Sequence, residues 1–116
     1  MLKQILKQLK TATGLPVYPL ATTKIEDCIV YNHIVTNDDG AVSRQRLEIR
    51  IISFRMADAE KHRKEIIRTM VPSGDNLSMD GLLACEVNGG GILKDDGTET
   101  IHTIVYFDLI VRSENK

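Results

Sequence analysis

Three histidines, two cysteines and two Asp-Asp pairs are the first residues of this chain to weigh for chemistry beyond packing, and their spacing decides what they can do. His33, His62 and His102 are too scattered for a zinc site, and no HExxH or CxxC accompanies them. Asp38-Asp39 and Asp95-Asp96 each precede a glycine. A calcium loop needs alternating oxygen ligands and a closing Glu, which neither segment has, whereas Asx-Gly turn chemistry accounts for both. The run Asn88-Gly89-Gly90-Gly91 lacks the Lys-Ser/Thr and the following helix of a phosphate loop, so it reads as a hairpin tip or a bulge between strands. Cys28 and His33 have opposite parity on one extended run and cannot work together. Cys85 and His102 could be neighbours across a hairpin, but nothing orients them or supplies an oxyanion hole. Asp108 shares parity with His102 at about 20 Å along a strand, too far for direct pairing. No catalytic residue, cofactor or metal is expected, and both cysteines read as buried, reduced thiols.

One polar pattern remains. Arg44, Arg46 and Arg50 alternate with Glu48 along a single extended run. A solvated sheet face would look like this. So would a contact surface, because arginine's planar fork pairs bidentately with carboxylates and is enriched at interfaces.

The elements that must position these residues follow from periodicity. Leu2, Ile5, Leu6 and Leu9 repeat at helical spacing, with lysines and glutamines elsewhere on the wheel. Gly14 suits a left-handed C-cap and Pro16 blocks continuation. The stretch "TGLPVYP" is then a helix stop followed by an extended arm, at a sheet edge or outside it, because proline cannot serve a central ladder. Residues 28–36 and 41–54 flank "NDDG" and predict a hairpin. With Asp39-Gly40 as a two-residue turn, Cys28, Val30, Asn32 and Ile34 face Ile51, Ile49, Leu47 and Gln45. Ile29, Tyr31, His33 and Val35 then face Arg50, Glu48, Arg46 and Arg44. This register puts Tyr31 on the arginine stripe. "MADAEKHRKEIIRTM" predicts a second helix with Ala59, Arg63, Ile66, Ile67 and Met70 on one face, ended by "VPSG" and followed by a polar connector over 75–81. Residues 82–87 and 101–112 predict two more strands joined by a long or bulged loop. In the last strand Ile101, Thr103, Val105, Phe107, Leu109 and Val111 line one side. The expectation is one α+β domain over 1–116, frayed at 113–116. Two helices pack on one face of a mainly antiparallel four-stranded sheet, in the order α, extended arm, β, β, α, β, β.

Composition bounds the function. A chain of 116 residues, 42% hydrophobic and 27% charged, can bury a core without disulfides or metal. Fifteen Lys and Arg against sixteen Asp and Glu leave a net charge of −1, which argues against recognition of nucleic acid through its phosphates. No apolar run approaches the roughly 20 residues that span a bilayer, and the lysine-studded N-terminus is not a secretory signal. Synthesis and retention in a cytoplasm are therefore expected.

Taken in order, several segments resemble the tail terminator, or tail completion, proteins of long-tailed bacteriophages, including prophage-encoded copies. These are "TGLPVYP" after a short helix, "IVYN" at 29–32, "RLEIRIISF" leading into "ADAEKHRKEIIRTM", and the closing "HTIVYFDLIVR". The similarity spans roughly residues 2–112. It rests on order and spacing, since the family has no catalytic signature. Asp27-Cys28 departs from the Pro-aromatic pair that many relatives carry before the strand. The resemblance implies an α+β subunit of a ring, usually hexameric, that caps the head-proximal end of the tail tube. Its partners would be further copies of itself, the major tail tube protein and the head–tail connector protein. It implies no enzyme activity and no cofactor, and it would have the sheet build the inner wall of the ring. On that expectation Tyr31, Arg44, Arg46, Glu48 and Arg50 form an intersubunit or lumen-facing surface.

Three rival readings are discriminable. Another neck component, such as a head-completion or adaptor protein, would have the same composition. A small enzyme would need Cys85, His102 and Asp108 to act together. An RNA-binding sheet would need paired surface aromatics, for which only Tyr31 with Tyr106 or Phe107 is available.

Overall fold

The structure, a computed structural model, describes residues 1–20, 26–71, 79 and 81–113. The chain opens with helix α1 (Leu2–Thr13), whose Ile5 and Leu9 are buried. Gly14 ends it at φ 72°, donating its N–H to the Lys10 carbonyl at 2.8 Å. Such a conformation is strained for any residue with a Cβ. Lys10 in the last turn suits the negative end of the helix dipole.

Strand β1 (Val17–Pro19) follows and pairs in parallel with β2 (Cys28–Asp38), Tyr18 beside Val30. The arm is thus an edge strand. The Pro16 carbonyl accepts from the Ile29 N–H at 2.9 Å, and the Leu20 N–H donates to Tyr31 at 2.7 Å. Even-numbered residues therefore bond to β2, and Pro19, with no N–H to offer, falls at a position facing away. The sheet is consequently mixed and five-stranded among the described residues, not four-stranded, in the order β1-β2-β3-β5-β4.

The hairpin between β2 and β3 (Val42–Ser53) forms where the sequence places it, but in another register. Asp39 Oδ1 accepts from the N–H groups of Ala41 and Val42 at 2.9 and 2.8 Å, and the Asp39 N–H donates to the Val42 carbonyl at 3.1 Å. The turn therefore spans four residues, with Gly40 at φ 89° and Asp38 opposite Ser43. That turn moves the pairing two residues from the predicted one, and a bulge between Val35 and Asn37 takes one of them back. Beyond it Ile29 faces Ile51, Tyr31 faces Ile49 and His33 faces Leu47. Because side chains alternate with period two, this one-residue slip moves the odd residues of β2 to the other side of the sheet from the predicted one.

Helix α2 (Met56–Met70) coincides with its predicted span. Its buried line is Ala59, His62, Ile66 and Met70, so His62 takes the inward position assigned to Arg63, which is exposed. The His62 ring reaches Glu65 at 2.9 Å (Nδ1 to Oε1). The "PSG" after the helix and residues 75–78 and 80 of the polar connector lie outside the described residues, as do 114–116. Strand β4 (Leu82–Asp95) is far longer than "LLACEV", because the glycine run continues it through a bulge between Val87 and Gly90. Gly89 and Gly90 sit at φ 92° and 156°, and a Cβ on Gly90 would lie 2.2 Å from the Ile104 carbonyl oxygen. The reversal comes later, at residues 96–99, with Asp95 Oδ1 accepting from the Gly97 N–H. Strand β5 (Thr100–Arg112) returns between β4 and β3.

One core forms between helices and sheet. Ile29, Leu47, Ile49, Ile51, Val105, Phe107, Leu109 and Val111 meet Ile5 and Leu9 of α1 and Ile66 and Met70 of α2. All the strand residues in this set are odd-numbered and share one face. Both helices lie over that face; on the even face Cys28, Val30 and Ile104 are buried, while Arg44 and Arg46 are exposed.

Candidate interaction face

Even-numbered side chains build the face away from the helices. Across neighbouring strands Ile34, Arg46, Asp108 and Glu86 form one row, and Asn32, Glu48 and Tyr106 the next. Arg46 Nε lies 3.4 Å from Asp108 Oδ1, and its guanidinium sits 5.6 Å from the centre of the Tyr106 ring. The other Asp108 oxygen accepts from Asn88 Nδ2 at 2.6 Å, so the β4 bulge braces the ion pair from the sheet edge. Arg50 reaches Glu48 at 3.9 Å and the His102 ring nitrogen Nδ1 at 3.4 Å. His102 Nε2 in turn contacts Thr100 Oγ1 at 3.1 Å. Burial lowers the His102 pKa and the Arg50 guanidinium lowers it further, against an opposing pull from Asp95.

Arg44 continues the stripe, exposed, beside a shallow depression of about 590 Å³. Ile34, Thr36, Arg44, Arg46, Glu86 and Asp108 contribute to its lining. Arg44, Arg46, Glu48 and Arg50 therefore share one face, as their alternation predicts. Tyr31 does not join them. It pairs with Ile49 on the helix side, half-buried against the core. The sequence pattern could not exclude this, since a two-residue turn and a four-residue turn with a bulge give opposite parity. Asp108, Tyr106 and Asn88 complete the network, and their part in it becomes readable only once the β3–β5 register is known.

The face has mixed charge, and the thiol at its end, Cys28 in register with Ile52, is fully buried. Cys85 lies on the other side of the sheet opposite Leu109, and His102 stands opposite Leu93. They are thus on the order of 20 Å apart along β5 and not neighbours across the hairpin. Burial pushes the Cys85 thiol up to about 12, with the Asp108 and Glu86 charges adding to it. Burial likewise raises Cys28, helped by Glu26 and Asp27. Both shifts favour the protonated thiol, the opposite of what an attacking cysteine requires. Among the described residues no group of three or more His, Cys, Asp or Glu is arranged to hold a metal ion, and no helix is long and apolar enough to cross a membrane. The aromatics considered for RNA stacking are divided: Tyr106 is on the open face, while Tyr31 and Phe107 are on the helix side.

The sequence matches no family model and no curated protein. The fold is that of a chain in a solved structure described as the virion of a native gene transfer agent (GTA) particle. The TM-score is 0.68 at 16% identity, covering 96% of this chain and 91% of that one.

Proposed function

We propose that this protein is a structural, non-enzymatic subunit of a virion, forming a ring that ends a tail tube and joins it to the head connector. The observation that carries the reading is the shared fold along nearly the whole of both chains, since that neighbour is itself part of a virion particle. The resemblance of "TGLPVYP", "RLEIRIISF" and "HTIVYFDLIVR" to tail terminators narrows the role to the head-proximal end of the tail, with a six-membered ring as the expected assembly.

The open sheet face supports an assembly role physically. Arg46, Asp108, Glu48 and Arg50, braced by Asn88, form a preorganised set of charges of both signs, with Ile34 and Tyr106 among them. Identical subunits near neutral net charge pack without strong mutual repulsion. Such a set gives a neighbour both attraction and register.

Particles assembled without the protein test the role. Loss of a terminator leaves the tube free to grow, giving overlong tails. Tails of normal length beside unjoined heads would instead identify an adaptor in the same neck, and normal particles would refute both.

A further inference from the structure

Two features at opposite edges of the sheet are left unused by this reading. At the β4 edge every residue from Glu86 to Glu99 is exposed, including Ile92 at 53% and Leu93 at 57%. Register places Ile92 on the helix side and Leu93 on the open side, so the strand carries apolar groups on both of its faces. The adjoining turn carries Asp95, Asp96 and Glu99 against Lys94 alone. At the β1 edge a groove of about 540 Å³ runs between α1 and β1, floored by Leu6, Pro16, Val17 and Tyr31. Lys7 and Lys10 stand on its rim, and α1 holds Lys3, Lys7 and Lys10 with no acidic residue.

We infer that the β4–β5 hairpin end of one copy seats in the α1/β1 groove of the next. Ile92, on the helix side of β4, approaches the apolar floor, and Asp96 and Glu99 face Lys7 and Lys10. The occupant is a second copy of this chain because the chain itself supplies both complements. A whole-molecule charge of −1 conceals an acidic end on one edge and a basic helix on the other. The patches differ and sit at the two ends of one sheet, which makes the contact heterologous, the kind that closes into a ring when its rotation permits. Plain continuation of the sheet is a poorer solution, since β1 has only three residues and Pro19 has no N–H to offer on its outer side.

This contact rests on the ring reading, and its test separates the two. Self-association is followed by sedimentation velocity for Lys7→Glu/Lys10→Glu, for Asp96→Lys/Glu99→Lys, and for the four changes together. Each reversed pair should raise the self-association Kd roughly tenfold, and the combined variant should return to within about threefold of the parent. Mixing Lys10→Cys with Asp96→Cys under a short bismaleimide should give mixed dimers in excess over either variant alone. The native cysteines, being buried, supply little background. Closed rings that persist through every reversal, without mixed cross-links, would overturn this contact and leave the ring reading standing. Mixed cross-links with open chains only would retain the contact and refute the ring. A monomer at every concentration, without cross-links, would overturn both.

Discussion

Reversing Arg46 and Arg50 together, Arg46→Glu/Arg50→Glu, asks whether the open sheet face exists for assembly or merely meets solvent. Arg46 loses its 3.4 Å contact with Asp108 and its position over Tyr106, and the new carboxylate lies directly across from Asp108. Both members of that pair are 44% exposed, so its worth is that of a screened surface pair, under about 1 kcal/mol. The cation–π contact adds about 0.5–1 kcal/mol, and facing like charges cost a similar amount. Arg50→Glu loses Glu48 at 3.9 Å and the His102 contact, a smaller effect. The sum is on the order of 2–3 kcal/mol against a typical stability of about 5–15 kcal/mol, so the monomer stays folded. For 116 residues this lowers Tm by roughly 8–12 °C. The assay pairs thermal unfolding with sedimentation mass in the presence of assembled tail tubes. The expected result is a folded protein that no longer forms rings or joins tails. A variant with the expected Tm loss and undiminished assembly would refute the assignment of this face. An unchanged Tm would show that the network bears no load.

Gly90→Ala should destabilise the protein by at least about 1 kcal/mol, lowering Tm by about 4 °C or more, because the β4 bulge holds that residue at φ 156° with no room for a Cβ. Gly91→Ala, with open space at its Cβ and no positive φ, should change stability by less than about 0.5 kcal/mol in thermal unfolding. Cys85 should alkylate with iodoacetamide at pH 7.5 roughly a thousandfold more slowly than a free thiol, since its pKa is pushed to about 12 and only the thiolate attacks. Its rate should climb about tenfold per pH unit up to that pKa for as long as the fold persists, as read by mass spectrometry of the labelled peptide. Rapid labelling at neutral pH would reopen an enzymatic reading.

How much of this was legible in the sequence varies by element. The two helices were, with the bounds of α2 read correctly, because helical periodicity, Gly14 and Pro16 are local signals. The alternation of β5 also stands as read, with Phe107, Leu109 and Val111 inward and Tyr106 and Asp108 outward, since a strand covered on one side declares its period unaided. So does the common face of Arg44, Arg46, Glu48 and Arg50. The pairing of the extended arm as a fifth strand, the length of β4 and the position of Tyr31 were not legible. Each depends on a partner distant in sequence. A three-residue strand exists only because β2 supplies its hydrogen bonds, and the glycine run becomes strand only because β5 pairs with it across the bulge.

The register of the first hairpin shows the division most clearly. Composition and alternation determined that two strands meet at an Asp-Gly turn, because short-range preferences suffice for that. Whether Asp39 closes two residues or four, and whether the chain bulges before Asn37, was decided by tertiary packing. The observed parity places Ile29 in the core between helices and sheet with Leu47 and Ile49, and packs Tyr31 against it. The same slip carried Tyr31 to the core side and left the arginines to Asp108, Tyr106 and Asn88.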